Sequence, residues 1–175
     1  SVNGRGEINP THNFVNAFPM DDGTPIDESS DFDPQDPYAN RDPRLEKYVV
    51  LNGRSFGGGI INTGVGGGID RLDSIPQFST TTGYYLKKLL QPEVRLNNDG
   101  TTQGKRHAAV YFRYTELFLI LAEAANEIGG PDHQVDGITA RDVISAIRNR
   151  AGITQQNYLT SITNKDDMRD LIRNE

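Results

Sequence analysis

Apolar side chains recur at helical intervals most clearly between residues 108 and 152. In the first arm of that stretch Leu117, Leu121, Ala124, Ala125 and Ile128 fall at steps of three, four and seven, with Glu116, Glu123 and Glu127 on the opposite edge. That is the pattern of an amphipathic helix. Gly129-Gly130-Pro131 ends the arm, because glycine accepts a left-handed cap and proline cannot continue the ladder. A second arm follows Thr139, an N-cap with Asp142 in the capping-box position. Its apolar stripe is Val143, Ile144, Ile147 and Ala151, and Gly152 closes it. The small residues Ala122, Ala125 and Ala146 predict a close approach of the two arms. The pair reads as an antiparallel hairpin of the tetratricopeptide kind, without the full repeat pattern. Tyr111, Phe112 and Phe118 are assigned to its core.

A third helix is predicted from Lys165, capped by Asn164, with Met168, Leu171 and Ile172 inside. It is still in mid-pattern at Glu175. A helix of about ten residues is marginal alone, so we expect a fragment of a longer protein. The stretch 155–163 reads as a connection.

Upstream, the periodicity is short and broken. Residues 1–10 read as loop. Residues 11–20 hold Phe14, Val15, Phe18 and Met20, limited by proline to short extended or single-turn pieces. Residues 45–51, LEKYVVL, fit a short strand or a helical turn, with Tyr48, Val49 and Val50 tilting the balance toward strand, and Asn52-Gly53 is a hairpin-type turn. Residues 56–69, FGGGIINTGVGGGI, hold seven glycines in fourteen positions. No Gly-Lys-Ser/Thr follows, so a phosphate cradle is set aside for a flexible surface excursion or hairpin. Residues 83–90 predict another short extended piece, with Tyr84 and Leu86 on one face and Tyr85 and Lys87 on the other. The expected fold class is mainly α with extensive loops and a few short strands. The expected organisation is a loop-rich region over 1–107, and a helical hairpin plus the start of a truncated third helix over 108–175.

Composition narrows the chemistry. Of 175 residues only 35% are apolar, with 18 Gly and 9 Pro, which implies much irregular backbone. A net charge of −6 argues against nucleic acid, whose phosphates require clustered Lys and Arg. With no Cys and three His, thiol chemistry is excluded and no metal cluster or cofactor is expected. Asp31, Asp33, Gln35 and Asp42 fit part of a calcium-loop count. Pro34 and Pro37 interrupt that segment, no amphipathic helix flanks it, and it reads as a turn-rich loop. No apolar run approaches the roughly 20 residues of a membrane span.

Five blocks then carry a family resemblance. They are Asn40-Arg41-Asp42-Pro43-Arg44-Leu45; Gly83-Tyr84-Tyr85-Leu86-Lys87-Lys88; Arg113-Tyr114-Thr115-Glu116-Leu117 with Leu121-Ala122-Glu123-Ala124; Ala146-Ile147-Arg148-Asn149-Arg150-Ala151-Gly152; and Met168-Arg169-Asp170-Leu171-Ile172-Arg173-Asn174-Glu175. In this order they resemble the C-terminal part of the SusD/RagB family, the surface-exposed nutrient-binding lipoproteins of the Bacteroidetes outer membrane. From about Phe18 onward most of the chain is covered, including the lead-in Phe18-Pro19-Met20-Asp21-Asp22-Gly23. The resemblance implies a SusD-like fold and a protein that captures oligosaccharide or another nutrient at the extracellular face of the outer membrane. It implies a SusC-like TonB-dependent transporter as partner, and a lipid anchor outside this fragment. It implies no enzymatic activity. Two rivals are a helical protein-interaction scaffold without sugar binding, and part of a glycan-degrading enzyme.

Glycoside hydrolysis requires two carboxylates facing a cleft. The adjacent pairs Asp21/Asp22 and Asp166/Asp167 sit in turn and cap contexts, so no catalytic residue is named. Holding a neutral sugar requires an aromatic platform and polar groups for the hydroxyls. The loop residues offering these are Arg54, Phe56, Asn62, Asp70, Asp73, Phe78 and Tyr84, with Tyr38 a further aromatic. Arg113, Glu116, Glu123, Arg148 and Arg150 are read as structural ion pairs that fix helix packing.

Overall fold

In the computed structural model the described residues are 8–75, 79–88, 90, 91, 93–96, 99–106, 108 and 110–175. The chain is mainly helical with extensive loops and short two-stranded pairings. It divides into two compact units, one of residues 1–16 and 44–108, the other of residues 17–43 and 109–175.

The second unit holds the long helices. Helix α3 spans Tyr114–Gly129, α4 Ala140–Ala151, α5 Asn157–Ser161 and α6 Lys165–Asn174, while α1 (His12–Asn16) and α2 (Pro43–Tyr48) lie earlier in the chain. The α4 boundary is set by a complete capping box. Thr139 Oγ1 accepts from the Asp142 amide at 3.0 Å, and Asp142 Oδ2 accepts from the Thr139 amide at 3.0 Å. Gly152 closes the helix in the left-handed conformation. Helix α6 starts at Lys165 with Asn164 Oδ1 accepting from the Asp167 amide, and buries Met168, Leu171 and Ile172. Both helices follow the sequence reading.

Around them a core forms from Ala122, Ala140, Val143, Ile144, Leu159, Ile162, Met168, Leu171 and Ile172. Leu159 comes from α5, a helix of five residues within the stretch read as a connection. Arg141 fixes it there, donating to the carbonyls of Leu159 and of Ile162, the latter at 2.8 Å.

Three expectations for the hairpin are corrected. Helix α3 starts at Tyr114, and Tyr111, Phe112 and Phe118 are exposed instead of buried. Of the predicted inner stripe only Ala125 is buried; the buried face is Ala122, Ala125 and Asn126, and Leu117, Ala124 and Ile128 face solvent. Ala146 is exposed, so α4 presents Val143 and Ile144 to the core. One physical reason covers α3: the helix is apolar nearly all round, so periodicity alone cannot say which face packs. The small-residue side is the one its neighbours take.

Arg148 of α4 is a buried charge, with 2% of its side chain exposed. Its Nε meets Glu175 Oε2 at 3.0 Å and its Nη1 donates to the Gly23 carbonyl at 3.2 Å. It therefore ties α4, the end of α6 and the 17–43 loop together. Within that loop Arg41 donates to the carbonyls of Phe18 (2.6 Å) and Pro37 (2.8 Å). Those acceptors belong to the loop itself.

The first unit is built from turns. Strands β1 (Val49–Val50) and β4 (Tyr85–Leu86) pair antiparallel, Val49 opposite Leu86 and Val50 opposite Tyr85. Strands β2 (Ser55–Phe56) and β3 (Gly59–Ile60) form a hairpin, and β5 (Arg95–Leu96) pairs with β6 (Thr102–Gln103). The expected strand over 45–51 is a helix to Tyr48 and a strand only for Val49–Val50. Pro43 explains this, since its fixed φ suits the first helical position. Among the described residues Val15, Leu45, Val49, Val50, Leu51, Ile61 and Tyr84 are the buried apolar ones of this unit. Among the described residues no helix is long and apolar enough to cross a membrane.

Candidate functional site

The glycine-rich stretch has a defined course. Gly57 and Gly58, both with positive φ (62° and 88°), make the two-residue turn between β2 and β3. Two positive values are the signature of a type I′ turn, whose twist matches the flanking strands. Below the turn, Ile61 donates its amide to the Arg54 carbonyl (3.0 Å) and Gly53 donates to the Ile61 carbonyl (2.8 Å). Beyond the hairpin, Asn52 Oδ1 accepts from the Thr63 amide at 2.8 Å, and Asn62 Oδ1 accepts from the Gly64 amide at 3.1 Å. At Gly67 a Cβ would lie 2.0 Å from the Asn62 carbonyl oxygen, so the chain can close there only on glycine.

This hairpin, the end of α2 and the β1–β4 pair surround a cleft of about 160 Å³, lined by Glu46, Val49, Val50, Leu51, Arg54, Ser55, Phe56 and Lys87. Arg54 Nε meets Glu46 Oε1 at 2.9 Å, and Lys87 Nζ donates to the Glu46 carbonyl at 2.7 Å. Phe56 is half-buried. An aromatic ring beside a guanidinium, a carboxylate, a hydroxyl and an ammonium is a set that can stack one sugar face and bond its hydroxyls. Among the described residues that line it, Glu46 is the single carboxylate, where glycoside hydrolysis uses two.

The residues anticipated for ligand contact are thus divided. Arg54 and Phe56 meet in the cleft. Asn62 shapes its own loop. Asp70 lies in a 3₁₀ turn and its carbonyl accepts from the Tyr85 hydroxyl at 3.2 Å. Asp73 has φ 52°, and its amide donates to the Thr80 carbonyl at 2.9 Å. Tyr84 is 7% exposed, with its hydroxyl 2.9 Å from His12 Nδ1 and its ring stacked on that imidazole, so its face is not offered to a ligand. Phe78 lies outside the described residues. Glu46, Ser55 and Lys87 were not anticipated. Lys87 follows β4, and only the β1–β4 pairing carries it to Glu46, a contact 41 residues apart in sequence.

The residues read as ion pairs are placed as follows. Arg148 meets Glu175, Glu123 meets Arg173 Nε at 2.9 Å, and Arg150 Nη2 donates to Thr115 Oγ1 at 3.4 Å. Among the described residues Arg113 and Glu116 make no ion pair. Arg169 bridges Glu127 and Asp166, and its hydrogen bond holds the Glu127 carboxyl below the usual carboxylate range. Arg141 does the same for Asp132, and the Thr139 hydroxyl for Asp142.

A family model described as the SusD family matches residues 1–175. Two solved structures of a protein called BT4246 share the fold, with TM-scores of 0.77 and 0.75 at 20% identity, covering 98% and 95% of this chain. A structure of BF0978 from Bacteroides fragilis, described as a SusD-like carbohydrate binding protein, gives a TM-score of 0.66 at 22% identity over 94% of this chain. The chain spans about a third of the length of each, 31–32%. No curated protein matches it in sequence.

Proposed function

We propose, from the premise that this chain belongs to the SusD family, that it is part of a cell-surface protein that captures oligosaccharide and passes it to a TonB-dependent outer-membrane transporter. The protein works at the extracellular face of the outer membrane, held by a lipid anchor outside these residues. It binds and hands over its ligand without turning it over. The observation that carries the binding step is the cleft where Phe56 stands beside Glu46, Arg54, Ser55 and Lys87. The structural likeness to a protein described as carbohydrate binding supports the same reading.

The full-length protein, titrated calorimetrically against a panel of oligosaccharides, is expected to bind at least one of them and to release no reducing ends on prolonged incubation. Release of reducing ends would make it an enzyme. Silence across the panel would end the glycan reading. Co-purification with a TonB-dependent transporter tests the hand-over step.

The rival reading, a scaffold for protein partners, has one observation in its favour. Tyr114, Leu117, Phe118, Ile120 and Ile128 of α3 are all exposed, more apolar surface than one helix commonly leaves to water. Under that reading the panel stays silent, and Leu117→Glu disrupts a protein complex instead of glycan binding.

A further inference from the structure

We infer that the cleft selects an anionic sugar, one carrying a carboxylate or a sulfate, over its neutral counterpart. The inference rests on the reading of the chain as a glycan binder and names the class of sugar at that same cleft.

The charge balance is the first observation. The whole chain carries −6, yet among the described residues the ionisable groups lining the cleft are two cations, Arg54 and Lys87, and one anion, Glu46. The cleft is locally positive on a negative protein. Two more lysines flank these residues in sequence, Lys47 beside Glu46 and Lys88 beside Lys87. The Lys88 ammonium lies 4.7 Å from the centre of the Tyr48 ring.

The second observation is how the two cations are held. Lys87 spends one of its three donors on a carbonyl, a neutral acceptor, and makes no ion pair among the described residues. Its position is fixed while its charge is left for something else. Arg54 is paired with Glu46, but the two side chains are 45% and 55% exposed. Pairs so exposed hold weakly. A ligand anion can therefore take guanidinium donors that Glu46 leaves unused, or displace it. Both cations bond the same residue, Lys87 at its carbonyl and Arg54 at its carboxylate, so they converge on one small volume.

Size and shape complete the argument. A volume of about 160 Å³ is well below the ~300–1,000 Å³ of ordinary ligand pockets. It suits a single sugar ring with one charged substituent. The half-buried Phe56 ring offers that sugar an apolar face, while the planar guanidinium fork complements a carboxylate or a sulfate edge. A neutral sugar would give the Lys87 charge no partner.

The test uses the full-length protein, titrated against trigalacturonate, its methyl ester, a sulfated galactan oligosaccharide and a neutral glucan oligosaccharide. The expected result is that trigalacturonate or the sulfated galactan binds at least about tenfold more tightly than the two uncharged ligands, a preference that shrinks as salt rises. Trigalacturonate against its methyl ester isolates the charge on one backbone, and the sulfated arm separates the two sources of anion. Lys87→Gln removes the charge at that position and should cut the preference for the preferred anion over the methyl ester about tenfold, with both affinities measured. An unchanged thermal midpoint would confirm that the variant folds. Equal or tighter binding of the uncharged ligands would overturn this inference and leave the glycan reading standing. An anion preference that Lys87→Gln does not reduce would overturn the assignment to this cleft. No binding to any of the four, or to the wider panel, would overturn both.

Discussion

The two units of this chain are held together by different kinds of information. In the helical unit the decisive residues are local. Thr139 and Asp142 are three apart, Asn164 and Asp167 are three apart, and the Met168, Leu171 and Ile172 stripe fits within two turns. In the loop-rich unit the decisive contacts are distant or rest on the absence of a side chain. Lys87 reaches Glu46, Tyr84 reaches His12, Asn52 collects amides from across the hairpin, and Gly67 closes against a carbonyl. The first kind builds a rigid support. The second leaves open clefts lined by mixed chemistry, which is where binding residues tend to gather. Substitutions in the two units should therefore fail differently: global unfolding in one, local loss of shape and ligand in the other.

The largest effect is expected at Arg148. Truncation to Ala takes the guanidinium away from the buried Glu175 carboxylate and from the Gly23 carbonyl, and should cost about 3–5 kcal/mol in urea unfolding. Combining Arg148→Met with Glu175→Leu should recover most of it, because two apolar groups remove both buried charges of this pair together. A full loss in the double variant would break the account of the pair. Next comes Gly67→Ala, where the Cβ has no room beside Asn62. A cost of about 1–3 kcal/mol is expected, read as faster hydrogen exchange confined to residues 52–68. Protection lost across α3, α4 and α6 instead would show that the units do not fail separately. Thr139→Ala removes one half of the capping box and should cost about 1 kcal/mol, with the far-ultraviolet circular dichroism at room temperature unchanged.

The smallest effect is the pH dependence of the helical unit. The carboxyls of Asp142, Asp132 and Glu127 are held below their ordinary range, by hydrogen bonds from Thr139, Arg141 and Arg169 respectively. A carboxyl with a depressed folded-state pKa contributes stability above its unfolded value and loses it as pH falls through the folded one. Stability should therefore decline below about pH 4, and less so in Asp142→Asn. A thermal midpoint that rises on acidification would contradict these assignments.

The same contrast explains what the sequence disclosed. Capped, amphipathic α4 and α6 were legible because cap, stripe and terminator lie within a few residues of one another. The face of α3 was not, because Leu117, Ile120, Leu121 and Ile128 spread apolar character around the helix. Short α5 escaped notice because its five residues show no period, and Arg141 of α4 is what secures it. In the cleft, Arg54 and Phe56 stood out by residue type beside a turn signal. Glu46 and Lys87 did not, since nothing local tells that β1 and β4 pair across more than thirty residues. Tyr84 looked available by type, and its burial came from a contact with His12 that local pattern does not encode.

The central claim is that ligand recognition belongs to the loop-rich unit and support to the helical one. Calorimetric titration of full-length Phe56→Ala with the preferred oligosaccharide tests it most directly. The account predicts at least about tenfold weaker binding, the loss expected when one aromatic stacking contact is removed, with the thermal midpoint unchanged. Affinity equal to that of the unaltered protein would contradict it.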